Sequence, residues 1–185
     1  DAQGVILPRS SSKMVQALPL IESGAADACG LTDAHLALAC ASHQGAAVHT
    51  DMVTRWLADL NLSEGDLRCG VQWPNDEPAR NDLICAHCGP DQRHNNCSGK
   101  HSGFLTLSKH LGGGPEYIDP DHPVQRAVRA AWEDVTDEAT PGYGIDGCSA
   151  PNFASSLAGF ARALAMFAAA RDGADARQSA MVRLR

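Results

Sequence analysis

The chain has 185 residues, of which 44% are hydrophobic and 20% charged, and its 15 basic and 22 acidic side chains give a formal net charge of −7. This composition excludes a disordered chain and a coiled coil, and the acidic balance argues against a nucleic-acid partner, which requires a basic face. Because no apolar run reaches the roughly 18 residues that span a bilayer and no signal peptide opens the chain, no membrane partner is expected and a cytoplasmic location is predicted.

Helical periodicity dominates the sequence. Apolar spacing and terminal residues predict helices over residues 10–22, 34–42, 47–60, 98–111, 123–135, 153–171 and from 174 onward. The only β-type alternation is short, at residues 4–7. Residues 70–96 and 140–152 are rich in Pro, Gly, Asn and Asp, and we expect a long ordered loop in the first stretch and a turn in the second.

Seven cysteines are an odd number for a disulfide framework, so reduced thiols are expected. Three of them lie among small and apolar residues and are interpreted as structural: Cys29, Cys40 and Cys69. Cys85 and Cys88 form a C-x-x-C pair that could bind zinc together with His94 or Cys97, although a second C-x-x-C is missing.

Ser10 and Lys13 open the first predicted helix with S-x-x-K spacing. Residues three apart on a helix share a face, so the lysine could take the proton of the serine hydroxyl and make it a nucleophile. This arrangement occurs in penicillin-recognising serine enzymes. The simpler interpretation is a serine N-cap followed by a surface lysine, and the spacing alone favours it.

Two further segments carry reactive side chains. The run over residues 94–101, His-Asn-Asn-Cys-Ser-Gly-Lys-His, enters a helix with Cys97 and Lys100 on one face. A thiol in that position has a lowered pKa that suits metal binding or nucleophilic attack, whereas the alternative is a cap, a glycine hinge and solvated histidines. Farther on, Asp146 and Cys148 can point to the same side of an extended segment, or their surroundings form only a turn between helices.

Taken together, these segments resemble the asparaginase II family, the Rhizobium-type thermolabile L-asparaginases. The matching stretches are 8–13, 16–20, 22–27, 38–43, 94–103 and 146–148. The resemblance implies an α+β, serine β-lactamase-like fold, of which this chain would be mainly the helical part with little sheet. Residues 1–185 would form a single domain that lacks the N-terminal and C-terminal portions of the family domain. Ser149 departs from the family pattern, which has Gly there.

The resemblance also implies roles for individual residues. Ser10 would be the nucleophile and Lys13 its general base, with Arg9 holding their geometry or lowering the pKa of the lysine. Ser42 would be a second active-site serine that relays protons or binds substrate. The implied reaction is the hydrolysis of L-asparagine to L-aspartate and ammonia through an acyl-enzyme on Ser10, in a homodimer.

A zinc ion beside these serines is the implied cofactor. Cys97, Lys100 and Cys148 would bind it, and it would assist substrate binding, while Asp146 and His101 would line the substrate site. Two other hypotheses remain open at this point: a penicillin-recognising serine hydrolase with another substrate, and an inactive zinc-binding fragment.

Overall fold

The computed structural model describes residues 1–185. Its helices are α1 (Lys13–Glu22), α2 (Ala25–Ala28), α3 (Asp33–Cys40), α4 (Ala47–Asp59), α5 (Glu77–Cys85), α6 (Ser98–His110), α7 (Pro123–Thr136), α8 (Leu157–Ala169) and α9 (Ala176–Leu184). Its strands are β1 (Val5–Ile6), β2 (Tyr143–Ile145), β3 (Pro151–Phe153) and β4 (Ser155–Ser156), and 3₁₀ turns cover Arg9–Ser12, Glu64–Asp66 and Gln92–His94. The prediction of an α+β protein that is mostly helix with little sheet is confirmed.

Helix α6 lies in the middle of the helical layer. Residues 98–108 are all buried, and the helix contacts α1, α2, α3, α4 and α7. Since α6 has no solvent face over these three turns, its polar side chains must find partners inside the protein. Gly99 permits the closest approach, because a Cβ there would lie 2.4 Å from the backbone oxygen of Leu38 in α3.

Helix α1 packs against α3, α6, α7 and α9 and so carries its first residue into the interior. Val15, Leu18 and Leu20 belong to its buried face. Pro19 lies inside the helix without ending it. Burial against the neighbouring helices offsets the hydrogen bond that a proline removes.

The four strands form two small antiparallel sheets. β1 pairs with β4, with Val5 opposite Ser156, and β2 pairs with β3, with Tyr143 opposite Phe153. These pairings bring the turn before α1 next to the chain that follows β2. No helix is both long and apolar enough to cross a membrane.

Several predicted boundaries are wrong. The expected loop over residues 70–96 contains α5, whose N-cap Asp76 accepts a hydrogen bond from the amide of Ala79. The expected turn over 140–152 contains β2 and most of β3. The helix predicted from residue 153 begins at Leu157, because residues 151–153 pair with β2 and the Ser156 hydroxyl caps the helix by accepting from the amide of Gly159. The helix predicted from residue 10 begins at Lys13, after a 3₁₀ turn.

Candidate functional site

The amine of Lys13 is enclosed between the start of α1, the end of α3 and the segment before α6. Lys13 is 1% exposed. Its Nζ donates to Ala41 O (2.5 Å), Ser42 Oγ (3.0 Å) and Asn96 O (3.4 Å). Burial lowers the pKa of this amine. The interpretation as a solvated surface lysine is therefore wrong, and the side chain has the environment of a general base.

Ser10 lies in the exposed 3₁₀ turn just before α1. The two serines that follow it donate their hydroxyls to backbone carbonyls at 2.6 and 2.7 Å. The hydroxyl of Ser10 is the one of the three that is left free for a substrate. The Lys13 amine is hydrogen-bonded to Ser42 and not to Ser10, so the structure joins the lysine to the second serine.

An ion pair connects the turn of Ser10 to the turn after β2. Arg9 Nη2 and Nε lie 2.9 and 3.0 Å from Asp146 Oδ1, and the Arg9 amide donates to Asn152 Oδ1 at 3.3 Å. Arg9 has a φ of 53°, in the left-handed region that a side chain disfavours. These contacts therefore hold a strained backbone beside Ser10.

Cys97 and Cys148 meet in the interior, next to Lys100. All three are buried, and Lys100 Nζ donates to Cys148 Sγ at 3.0 Å. The two thiols share a hydrogen bond, which lowers the pKa of Cys148 and, together with burial, raises the pKa of Cys97. The pair thus favours one thiolate, on Cys148, beside the lysine amine.

His101 lies on the same helix as Lys100, and a hydrogen-bond chain assigns its tautomer. The amide of Arg68 donates to the Tyr117 hydroxyl (2.7 Å), which leaves the Tyr117 proton to donate to His101 Nδ1 (2.9 Å). With Nδ1 accepting, the ring proton is on Nε2, a buried atom that has no hydrogen-bond partner. Burial lowers the pKa of His101 to about 4, so the ring is neutral at physiological pH. Tyr117 carried no signal in the sequence.

The predicted metal ligands form a donor set of two thiols and an amine. No group of three or more His, Cys, Asp or Glu side chains is arranged to hold a metal ion. Cys85 and Cys88 are exposed at the end of α5, and they form no such group with either of their predicted partners. The zinc site that the C-x-x-C pair suggested is therefore wrong, whereas the set around Cys148 contains the soft sulfur donors that zinc accepts.

His43, the residue after Ser42, also lies in this part of the protein, although it was not among the predicted site residues. It is 4% exposed. Its Nδ1 accepts from the amide of Gly45 (3.1 Å), so Nε2 carries the proton and donates to Ser98 Oγ (2.8 Å). His49 stacks on its ring at a centroid distance of 4.9 Å. Its position beside Ser42 was the only signal in the sequence.

Because of His43, we expect the free energy of unfolding to decrease as the pH is lowered from about 6.5 to about 4. Burial lowers the pKa of His43 to about 4, whereas in the unfolded chain it is about 6.5. Between these values the unfolded chain binds a proton that the folded chain does not, which amounts to about 1.4 kcal/mol per pH unit and about 3 kcal/mol in all. Above about pH 6.5 both states are neutral at this residue, and it adds no pH dependence.

Urea denaturation of the wild type and of His43→Gln between pH 4 and pH 8 checks this expectation. Glutamine does not titrate, so the variant should lose less stability on acidification. His101 is buried and neutral in both proteins, and its contribution cancels in the comparison. Equal pH slopes for the two proteins would contradict the prediction.

The comparisons with known proteins identify the family of the chain. A model of the L-asparaginase II family matches residues 1–185, the whole chain. A comparison with curated proteins gives no match. Because the family model covers the whole chain, the chain belongs to the L-asparaginase II family.

Proposed function

We propose that the protein hydrolyses the side-chain amide of L-asparagine to L-aspartate and ammonia, on a serine β-lactamase-like fold. Its family supports an asparaginase-type hydrolase. The observation that carries the proposal is the buried amine of Lys13, bonded to Ser42 and one turn after the free hydroxyl of Ser10. This combination supplies a base, a relay and a nucleophile.

The proposed reaction has two steps. In its neutral form the Lys13 amine donates to the carbonyls of Ala41 and Asn96, and its lone pair faces the Ser42 hydroxyl 3.0 Å away. It takes the Ser10 proton through that hydroxyl, and Ser10 Oγ forms a bond to the amide carbon. The tetrahedral intermediate then breaks its C–N bond, and the nitrogen leaves as ammonia with the proton that the lysine held. Water attacks the resulting ester by the same route, releasing L-aspartate and restoring the serine hydroxyl.

Arg9 and Asp146 are proposed to position the nucleophile and to line the substrate site. Their ion pair is exposed on the arginine side, with side-chain exposures of 70% and 9%. Such a pair adds little to stability. Its value here is geometric, because it holds the strained turn that presents Ser10.

We also propose a zinc ion, held by Cys97, Lys100 and Cys148. Two buried thiols, one with a lowered pKa, are suitable ligands for a soft divalent cation. Lys100 binds a metal only as a neutral amine, so binding would release protons. When bound, zinc would supply positive charge that helps to hold the anionic groups of the substrate. His101 follows Lys100 in α6, and its buried Nε2 is left without a partner, so it would support the site from outside the coordination sphere.

Replacing Cys148 with serine is expected to remove zinc from the purified protein. The change deletes one of the two thiols and the partner of Lys100. Elemental analysis by mass spectrometry measures zinc per chain, independently of activity. Cys85→Ser is the matched control, since that thiol is exposed at the end of α5, and it should leave the zinc content unchanged. Equal zinc in the two variants would contradict the proposed ligand set.

The proposed function is tested by ammonia release from L-asparagine by the wild-type protein, with L-glutamine as the comparison substrate. Ammonia from L-asparagine supports the proposal. The second candidate, a penicillin-recognising hydrolase of another substrate, has the S-x-x-K pair at Ser10 and Lys13 in its favour. Covalent labelling of Ser10 by a β-lactam, with no ammonia released from either amino acid, would favour that candidate instead.

A further inference from the structure

The position of the Lys13 amine depends on two chain segments that are far apart in sequence. Its acceptors Ala41 O and Ser42 Oγ belong to the segment that follows α3, and its acceptor Asn96 O belongs to the segment that precedes α6. The alignment of a base with its proton donor is sensitive to shifts of about 1 Å. The relative position of these two segments therefore decides where the lysine amine lies.

His43 joins the two segments through its backbone and its side chain. Its amide donates to Asn96 O at 3.2 Å, the same oxygen that accepts from Lys13. Its Nε2 donates to Ser98 Oγ at 2.8 Å, and that hydroxyl donates to Arg93 O at 2.8 Å. Its Nδ1 accepts from the amide of Gly45 at 3.1 Å. Both ring nitrogens are thus used, one within its own segment and one across to the other.

The glycine turn at Gly45 and the ring of His49 hold the His43 imidazole in place. Gly45 has a φ of +74°, and a Cβ there would lie 2.9 Å from His94 O and 3.0 Å from Pro74 Cβ. Only glycine fits this turn, so its amide is held in place toward His43 Nδ1. His49 stacks on the imidazole, which leaves the ring little freedom to rotate.

We propose that His43 is a positioning residue for the amidohydrolase reaction, which holds the Lys13 amine in its catalytic place by joining the two segments that supply its acceptors. The inference rests on the proposed function, in which Lys13 is the base. The decisive bond is Nε2 to Ser98, the first residue of α6, because through the Ser98–Arg93 hydrogen bond it reaches the segment that precedes α6, whereas the Nδ1 bond to Gly45 stays within the segment after α3.

Three substitutions of His43 separate these two bonds. His43→Phe keeps a ring but removes both, His43→Gln can place an amide N–H at the Nε2 position, and His43→Asn can place an amide oxygen at the Nδ1 position. We expect His43→Phe to lower kcat for L-asparagine by about 100-fold with little change in KM. His43→Gln should recover most of this loss and His43→Asn little of it. His49→Phe, which preserves the stacking, is the control and should keep wild-type kcat.

A second measurement does not require the substrate. The rate at which a fluorophosphonate labels Ser10 reports the basicity that Lys13 delivers to that hydroxyl, and it should follow the same order among the variants. One outcome is that the labelling rates of the wild type and the variants follow this order while the wild type releases no ammonia from L-asparagine. In that case the proposed function fails and the positioning role stands.

Three results would overturn the role of His43. One is a wild-type labelling rate in His43→Phe. Another is a recovery by His43→Asn that equals or exceeds that of His43→Gln. The third is a rise in KM with kcat unchanged. If His43→Phe does not fold, the comparison of the two amide variants decides the question alone.

Discussion

Replacing Ser10 with alanine is expected to lower kcat for L-asparagine by at least about 1,000-fold, because no other hydroxyl in its turn is free to attack. The variant should keep its stability, since Ser10 is exposed and its hydroxyl supports no other group. Ammonia release measures the activity, and thermal unfolding measures the stability. The acyl-enzyme, detected by mass spectrometry of the intact protein, should also disappear.

Ser11→Ala is the matched control for this experiment. Ser11 is the next residue in the same exposed turn, but its hydroxyl is engaged with Pro8 O at 2.6 Å. We expect its activity to stay within a few-fold of the wild type. Activity in Ser10→Ala, or loss of activity in Ser11→Ala with an unchanged Tm, would show that Ser10 is not the nucleophile.

Replacing Lys13 with methionine should have an effect of similar size. Methionine fills much of the same buried volume without an amine, and loss of a general base typically lowers the rate by about 100- to 10,000-fold. Lys13→Arg should be equally inactive, because a guanidinium is not deprotonated at accessible pH. Comparing the two variants separates the need for a base from the need for a positive charge. An active arginine variant would show that charge alone suffices and would contradict the role of Lys13.

Lys109→Met provides the control for losing a lysine that donates to the backbone. Lys109 Nζ donates to Leu60 O at 2.5 Å, at the far end of α6 from Cys97. The Lys109 variant should keep wild-type kcat. Lys13→Met also leaves Ala41 O without its side-chain donor and removes one of the two donors to Asn96 O, so we expect it to unfold at a lower Tm than the control. Wild-type activity in Lys13→Met would exclude the proposed mechanism.

Helix α5 shows why a helix can be missed from sequence. None of its residues is buried, so no apolar periodicity marks it within residues 70–96. Its signals were local instead: Asp76 caps its N-terminus, and Pro78 follows in the first turn. These signals were present in the sequence, but the surrounding Pro, Asn and Gly made a loop the simpler prediction.

At Ser149 the sequence departs from the family pattern, and the backbone conformation of this residue shows why the family has another residue there. The resemblance placed a glycine there, and the structure gives Ser149 a φ of 68°, a conformation that glycine adopts without strain. Its amide closes the turn by donating to Asp146 O at 2.8 Å. The turn that carries Asp146 and Cys148 thus keeps its form with a serine.

Local patterns were sufficient for some features of this protein and insufficient for others. Amphipathic spacing and caps located most of the helices, because these depend on residues within one or two turns. The resemblance located the candidate nucleophile and metal ligands, because those motifs are short and ordered along the chain. Neither could show that Lys13 is buried or that its amine contacts Ser42 and Asn96. Those facts arise from segments 28 to 83 residues apart, and burial lowers the pKa of Lys13 only after they have packed together.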